Sequence, residues 1–290
     1  MSQINGQEKQ SFSLDEAIEY ALKNSRNVKN AERDIEAAKQ QKWETIATGL
    51  PQINAVAGYQ NALKQGVFII NGQANPNGTK QAASATASLN QLLFDGSYLV
   101  GLQLAKVFLE ISKNAKEKTA LNTRETVINA YGNILVAEKS IEILLRNKKV
   151  NDRLLKGARI GYENGLAEQE DVEQFEITEG TIESSIRNAK RMEKIAYQIL
   201  NITLGNKINT KLTLTDTLED LVTSNTDLNL LAQDFELENH IDFKIAQNDK
   251  TAKELLVKLE KSKALPTLSA FINGGYTAYS DSFTFTESTQ

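Results

Sequence analysis

The residues that could carry chemistry in this chain are few. It has one histidine, His240, and no cysteine, so thiol catalysis, disulfide bonds and cysteine-ligated zinc are excluded. Because no second histidine or cysteine could assist it, we interpret His240 as a surface residue of a helix rather than a catalytic or metal-bound group. Glu168, Glu170 and Asp171 offer oxygen ligands for a cation, but we favour a solvated acidic loop that stabilises the start of the next helix. The sequence predicts neither a cofactor nor a metal site.

Two large classes of function are disfavoured by the sequence. The chain contains no phosphate-binding glycine loop, nucleophile elbow or metal-binding helix motif, so we expect that it is not an enzyme. Its formal net charge of −4 argues against a nucleic-acid partner, because phosphate binding requires a cationic surface. No window approaches the roughly 18 uninterrupted apolar residues of a membrane-spanning helix. The start, MSQINGQEKQ, lacks the apolar core of a signal peptide, so we expect either a cytosolic protein or an exported one whose signal is missing from this sequence.

The first part of the chain predicts a helix followed by a β-hairpin. We interpret residues 1–12 as an N-terminal extension, and Ser13-Leu14-Asp15-Glu16 as a capping box that begins a helix over residues 13–48. Apolar and polar side chains then alternate, which predicts a β-hairpin over residues 51–94. Residues 63–82 contain three glycines and a proline, which predicts a long loop at its tip.

A very long helical hairpin is predicted next, over residues 97–204. Its first arm has no proline and keeps apolar residues near the coiled-coil spacing; at 1.5 Å per residue, about 65 residues make a helix on the order of 100 Å long. Asn164-Gly165 supplies a left-handed helix stop, and a 3.5-residue grid from Val172 to Thr203 is mostly apolar on the second arm. Because only a few residues join them, the two arms must run antiparallel. Residues 205–235 are predicted to form an equatorial segment with a short strand and loops.

Two Leu-Pro steps, Leu50-Pro51 and Leu265-Pro266, indicate an internal duplication. They lie 215 residues apart, and aligning them also superposes NSRNVKNA on NHIDFKIA. Because proline cannot continue a helix, each step is predicted to be a junction where a helix gives way to a strand. The first repeat then covers residues 13–235, and a truncated second repeat covers residues 236–290, with a helix over 236–263 and a strand over 266–280.

The predicted strands alternate small apolar side chains with Ser, Thr, Asn and Gln. An isolated sheet of such strands would leave unpaired edges in water, whereas a transmembrane β-barrel closes its hydrogen bonds and shows this alternation. The apolar face should meet lipid and the polar face should line water. Tyr59, Tyr276 and Tyr279 are candidates for an aromatic belt at the membrane interface. The lipid-facing candidates are Ile53, Ala55, Tyr59, Ala85, Leu268 and Tyr276.

Six short motifs follow one another along the chain: SLDEAIEYALKN, GLPQINAVAGY, QLLFDG, AYGNILVAEKSIEIL, YENGLAEQEDV and ILNITLG. Their order, before a second Leu-Pro strand unit, resembles the TolC-like outer-membrane efflux proteins over nearly the whole chain. The resemblance implies a mainly α fold with β-strands, in which long antiparallel helical hairpins form an α-barrel and each protomer gives four strands to a trimeric transmembrane β-barrel. It also implies that this chain is roughly the first two thirds of a protein, since it supplies three of those strands and one of two long hairpins.

The resemblance implies partners as well. In that family the tip of the first helical hairpin meets the coiled-coil hairpin of a periplasmic adaptor, which links the channel to an inner-membrane pump. The family's tip motif falls here on Asn164, Gly165 and Leu166, with Asp171 at the start of the returning helix. Asn164 stands where the family often has an apolar residue. The implied partners are two further copies of the chain, the adaptor, the pump through the adaptor, and outer-membrane lipid.

These expectations predict a passive exit duct of a tripartite efflux pump or a type I secretion system. It would lie in the bacterial outer membrane with a helical portion in the periplasm, and would conduct small molecules or exported substrates with energy supplied by the pump. The alternative is a soluble, elongated coiled-coil interaction protein or a periplasmic adaptor whose strands form a small soluble domain. The alternating strand after Pro266 favours the duct.

Overall fold

The computed structural model describes residues 10–224 and 236–282, which divide into two compact units. The helical unit draws on Met1–Glu36 and Ser112–Ala246, and the sheet unit on Ala37–Ile111 and Gln247–Gln290. In chain order the elements are β1 (Gln10–Phe12), α1 (Leu14–Asn24), α2 (Arg26–Ala47), β2 (Gln52–Asn61), β3 (Gly66–Ile70), β4 (Gln73–Asn77), β5 (Gln81–Phe94), α3 (Gly96–Glu163), α4 (Gln169–Leu204), β6 (Leu212–Leu214), α5 (Leu218–Ser224), a 3₁₀ turn (Leu237–Asn239), α6 (Ile241–Ser262) and β7 (Leu268–Ser280).

The core of the helical unit forms where α1 packs with α3 and α4. Val127, Tyr131 and Ile134 of α3 and Leu200 and Leu204 of α4 are fully buried there. Burying each such side chain contributes about 1.5–3 kcal/mol, so this cluster is the main source of stability of the unit.

The predicted helix over residues 13–48 begins as expected but is not continuous. Ser13 Oγ accepts from the Glu16 amide (3.3 Å), and the Glu16 carboxylate accepts from the Ser13 amide (2.9 Å). The helix ends at Asn24, however, and restarts at Arg26, because Ser25 takes an extended ψ of 135°. The carbonyl of Asn24 lies against Gly205, a contact with the end of α4 that the local sequence pattern does not contain.

Two predictions at the edges of this unit were wrong. Residues 10–12 are not part of an extension: they form β1, which pairs in parallel with β6, and Phe12 enters the core. The segment 205–235 holds a helix, α5, in addition to the short strand; Thr217 Oγ1 accepts from the Asp220 amide (3.2 Å) and caps it. Residues 1–9 and 225–235 lie outside the described part of the chain.

The long helical hairpin is confirmed as α3 and α4, joined by residues 164–168. Every position on the predicted grid is buried or half-buried. Between the helices, Asn151 Nδ2 donates to the Phe175 carbonyl (3.1 Å), and Lys148 Nζ pairs with Glu179 (2.8 Å) and Glu183 (2.9 Å). These hydrogen bonds raise the pKa of Lys148 above its ordinary value, so the lysine keeps its charge in the seam.

The sheet unit contains the antiparallel sheet β2-β5-β7. The predicted strands over 51–94 and 266–280 are confirmed, but the predicted loop over 63–82 is wrong, because β3 and β4 form a second hairpin there. Asn71 and Gly72 have φ values of 51° and 79°, the left-handed pair that a tight two-residue hairpin turn requires. Pro76 fits because β4 pairs only with β3 among the described strands.

None of the helices in the described part of the chain combines the length and the apolarity that crossing a bilayer would demand.

Candidate functional site

The apolar side chains predicted to face lipid share one face of the sheet. Directly paired residues point to the same side of a sheet, and the register places Ile53 beside Leu89 and Ile272, and Ala85 beside Tyr276. Alternation along the strands adds the remaining candidates, Ala55, Tyr59 and Leu268, the last of these beyond an irregularity in the β5–β7 pairing. Ile53 and Tyr276 are each 74% exposed, so this face has large apolar side chains and no covering layer among the described residues.

The opposite face is mostly polar. The register aligns Asn54 with Ser88 and Asn273, and Gly58 with Ser84 and Thr277. It is not uniformly polar, because Val56, Phe271 and Tyr279 also belong to it. Tyr279 was predicted to share a belt with Tyr59 and Tyr276, and this is wrong, since it lies on the other face of the sheet.

The three strands of this sheet contain no charged residue. Between Glu44 and Asp95 the only charged residues are Lys64 and Lys80, and none occurs between Lys263 and Asp281. In a chain with 24% charged residues, this absence sets the composition of the sheet apart from that of the helices. Sequence reasoning missed this signal, although the printed sequence contains it.

The two predicted junctions have the same local structure. The Leu50 amide donates to the Ala47 carbonyl (3.0 Å), and at the corresponding position in the second repeat the Leu265 amide donates to the Ser262 carbonyl (3.0 Å). The proline that follows each leucine ends the turn, and a strand begins one or two residues later. The duplication inferred from sequence is therefore present in the turns themselves.

The start of α3 packs against the first junction, which sequence reasoning did not find. Asp95 Oδ1 accepts from the Ser97 (2.6 Å) and Tyr98 (3.0 Å) amides and caps the helix. The Tyr98 hydroxyl donates to the Ile46 carbonyl (3.2 Å). A Cβ added to Gly49 would lie 2.3 Å from the Tyr98 hydroxyl oxygen, so only glycine leaves room for the ring.

The same helix start also packs against the second junction. A Cβ added to Gly96 would lie 2.6 Å from Leu265 Cδ1 and 3.2 Å from the Ser262 carbonyl. The Ser262 hydroxyl lies 3.5 Å from that of Ser97. Residues 96–98 thus hold both junctions, and we name them the junction clamp.

The tip of the helical hairpin brings together three of its four predicted residues. Gly165 has a φ of 73°, Asn164 Nδ2 donates to the Ile160 carbonyl (2.7 Å), and Leu166 is 85% exposed. Asp171 lies one turn away, where its carboxylate accepts from the Glu168 amide (3.3 Å) at the start of α4. The tip therefore presents an apolar side chain from a turn whose backbone is fixed.

The other chemical candidates are His240 and the carboxylates near the tip. His240 Nδ1 accepts from the Asp242 amide (3.3 Å). The residue is exposed, as predicted, but it precedes α6 in an extended conformation and is not part of a helix. Within residues 10–224 and 236–282 no group of histidine and carboxylate side chains is arranged to hold a metal ion.

A buried tyrosine fixes the base of the helical unit. The Tyr131 hydroxyl lies 3.0 Å from the Phe12 carbonyl and 3.1 Å from Asp216 Oδ2, and that same oxygen accepts from the Leu14 amide (2.7 Å). Burial raises the pKa of Tyr131 to about 12. This arrangement joins α3 to the N-terminal strand and to the segment after β6.

Comparison with known proteins gives one family. Residues 17–206 match the outer membrane efflux protein family, while no curated protein sequence matches the chain.

Several solved structures share the fold. The outer membrane protein VceC of Vibrio cholerae aligns with a TM-score of 0.70 and 16% identity, over 92% of this chain and 63% of its own. The CmeC outer membrane channel of Campylobacter jejuni gives 0.67 and 17%, over 92% and 61%. The open state of the MtrE outer membrane channel of Neisseria gonorrhoeae gives 0.64 and 16%, over 94% and 64%. The chain spans less than two thirds of the length of each.

Proposed function

Because the chain belongs to the outer membrane efflux protein family, we propose that it forms part of a passive exit duct for small molecules or exported substrates. The family consists of outer-membrane channels and not of enzymes, and its members place their helical part in the periplasm. In this chain the duct wall would be the sheet β2-β5-β7 and the helices that enter it at the two junctions.

The observation that carries the proposal is the two-faced, uncharged sheet. An apolar face that includes Ile53 and Tyr276 suits lipid, while the face of Asn54, Ser84 and Thr277 suits a wet lumen. At about 3.3 Å per residue, the 10 residues of β2 extend over roughly 33 Å. Tilted by about 40°, as barrel strands are, they span about 25 Å, which matches the apolar band of an outer-membrane barrel.

The sheet as described also requires further strands. Among the described strands, β2 and β7 each pair on one side only, and in lipid every backbone hydrogen bond must be satisfied. We propose that other copies of the chain and further strands close the barrel as a homotrimer. Three identical chains close such a ring through head-to-tail interfaces related by a three-fold axis.

The helical hairpin would meet the pump apparatus. Its exposed tip residue Leu166, presented beside Gly165, suits the apolar seam of a coiled coil, and Asn164 and Asp171 flank it with polar groups. We propose that this tip contacts a periplasmic adaptor, which connects the duct to an inner-membrane pump. In this proposal the duct is passive and the pump supplies the energy.

Arginine substitutions on the two faces of the sheet test the proposal. Ala85→Arg, which lies near the middle of the paired strands, should lower the amount of protein assembled in outer membranes, because arginine near the bilayer midplane costs about 2–4 kcal/mol. Ile53→Arg lies near the start of β2 and should have a smaller effect, because the cost falls towards the interface. Asn54→Arg and Ser84→Arg, one residue away on the other face, are the matched controls and should assemble nearly normally.

Two results would contradict the proposal. Equal losses on both faces would remove the lipid assignment of the apolar face. Full-length protein recovered in the soluble fraction without detergent would instead favour a soluble coiled-coil interaction protein or an adaptor.

A further inference from the structure

The β3–β4 hairpin has one continuous apolar face. Val67 pairs with Pro76, and Ile69 pairs with Ala74, so these four side chains lie on the same side. Val67 is 66% and Ile69 74% exposed. The other side pairs apolar with polar residues, namely Phe68 with Asn75 and Ile70 with Gln73.

This hairpin lies at the end of the strands that is remote from the junctions. β2 leaves the first junction at Gln52 and ends at Asn61, and β5 returns from Gln81, so residues 62–80 extend beyond the far end of the sheet. The hairpin base is fixed there, because the Ala62 amide donates to the Lys80 carbonyl (2.8 Å). If the sheet crosses the membrane, this end lies at the interface opposite the helices.

The only two charged residues between Glu44 and Asp95 lie at this base. Lys64 and Lys80 are both exposed and flank the hairpin in sequence. Asp281 is also at the base, where its Oδ1 accepts from the Lys80 amide (3.0 Å) and from Gln65 Nε2 (3.1 Å). The formal charge of these three residues is therefore positive.

We propose that Lys64, Lys80 and the apolar face of the hairpin, together called the outer rim, bind phosphate-bearing lipid in the outer leaflet. Lysine places its aliphatic stem on apolar surface and its ammonium group at the headgroups, and apolar side chains beside it enter the acyl boundary. An anionic lipid fits this combination better than a protein partner, because the cations occur where an uncharged, lipid-suited sheet ends. The inference rests on the proposed function, since it takes the sheet as membrane-spanning.

Vesicle flotation with the full chain tests the lysines. Phosphatidylcholine vesicles are compared with vesicles in which part of that lipid is replaced by lipid A. Near an anionic surface each lysine contributes about a fivefold gain in affinity, so Lys64→Gln/Lys80→Gln should reduce binding to the lipid A vesicles by about 10–30-fold. Binding to phosphatidylcholine should be unchanged, and added salt should weaken the difference. The matched control is Lys190→Gln/Lys194→Gln on α4, which removes the same charge and should leave the preference intact.

A second pair of variants tests the apolar face. Ile69→Ser should weaken binding to both kinds of vesicle, whereas Ile70→Ser makes the same change on the opposite side of the hairpin and should have less effect. Binding that falls equally for both variants would remove the assignment of one face to lipid.

The inference and the proposed function fail in different ways. Equal binding of the unaltered chain to the two vesicle types, or an equal loss in the lysine variant and its control, would overturn the outer rim as an anionic-lipid site even if the sheet inserts. Protease digestion of the vesicle-bound chain distinguishes the two. If the strands are not protected from the protease while the preference for lipid A still depends on the lysines, the result supports the outer rim and contradicts the membrane-spanning sheet. Saturable competition by a purified protein but not by lipid A would show that the rim is a protein-docking surface and refute the inference.

Discussion

Gly49→Ala is the substitution that most sharply tests the junction clamp. The added methyl would lie 2.3 Å from the Tyr98 hydroxyl oxygen, 2.4 Å from Cζ and 3.0 Å from Cε1, so the ring must move. Overpacking of this kind costs about 1–3 kcal/mol, and displacing the hydroxyl from the Ile46 carbonyl costs about 1 kcal/mol more. We expect a loss of about 2–4 kcal/mol in the free energy of unfolding. The second repeat has Ala264 at the equivalent position.

A double-mutant cycle with Tyr98→Ala isolates the contact. Urea unfolding in detergent, followed by circular dichroism, gives the free energy of each variant. Without the ring, Gly49→Ala should cost less than about 0.5 kcal/mol, so the coupling between the two positions should be about 1.5–4 kcal/mol. Gly101→Ala is the control, because its new methyl would meet only Thr45 Cγ2 at 3.9 Å and should stabilise the helix by about 0.5–1 kcal/mol. A coupling near zero would refute the clamp.

Three further predictions concern the helical unit. Gly205→Ala should destabilise the helical unit by more than 2 kcal/mol in the same unfolding assay, because φ is +82° and the added methyl would lie 2.4 Å from the Asn24 carbonyl oxygen. Gly165→Ala, where φ is +73° and the surrounding space is open, should cost only the backbone strain of about 1 kcal/mol. Equal costs for the two variants would contradict the contact between Gly205 and Asn24. Since burial raises the pKa of Tyr131 to about 12, the contribution of its neutral hydroxyl to stability should be complete below about pH 10 and be lost as the pH rises through 12. Tyr131→Phe should lower the free energy of unfolding by about 1–2 kcal/mol at neutral pH and make this alkaline loss smaller. An unchanged dependence of stability on pH in the variant would contradict the role of Tyr131. Asn151→Leu should change the free energy of unfolding by less than about 1 kcal/mol but broaden the distribution of spin-label distances between α3 and α4, because a buried amide fixes the register of paired helices. An unaltered distance distribution would show that Asn151 does not fix the register.

Local patterns predicted the elements whose structure is decided by near neighbours in sequence. The capping box at Ser13 and the turns at Leu50 and Leu265 depend on contacts within a few residues, and the long helical hairpin follows from a sustained local period and a short connection; all three are as expected. The break at Ser25 lies against Gly205, and β1 pairs with β6, so the partner of each is distant in sequence. Long-range contacts of this kind leave no periodic signal in the chain.

The candidate site was only partly predictable for a similar reason. Alternation was sufficient to place Ile53, Ala85 and Tyr276 on one face, because the strand period of two is a local property. Tyr279 lies three residues after Tyr276 in β7, so the period of two places it on the opposite face. The β3–β4 hairpin has a local signal, Asn71-Gly72 after a run of β-forming residues, but its three glycines and Pro76 favour a loop when composition alone is considered. The junction clamp joins Tyr98 to a turn about fifty residues earlier. Gly49 and Gly96 each lie in one of the quoted motifs, but the motifs do not show that the two segments meet.

The central claim is that β2 crosses a membrane with one face towards lipid and the other towards water. Because the chain has no cysteine, single cysteines carrying a spin label can be placed at each position from 52 to 59 without background. In membranes, the label should be most accessible to oxygen at Ile53, Ala55, Ala57 and Tyr59, and most accessible to a water-soluble nickel complex at Gln52, Asn54, Val56 and Gly58. High nickel accessibility at all eight positions, or no alternation between them, would contradict the account.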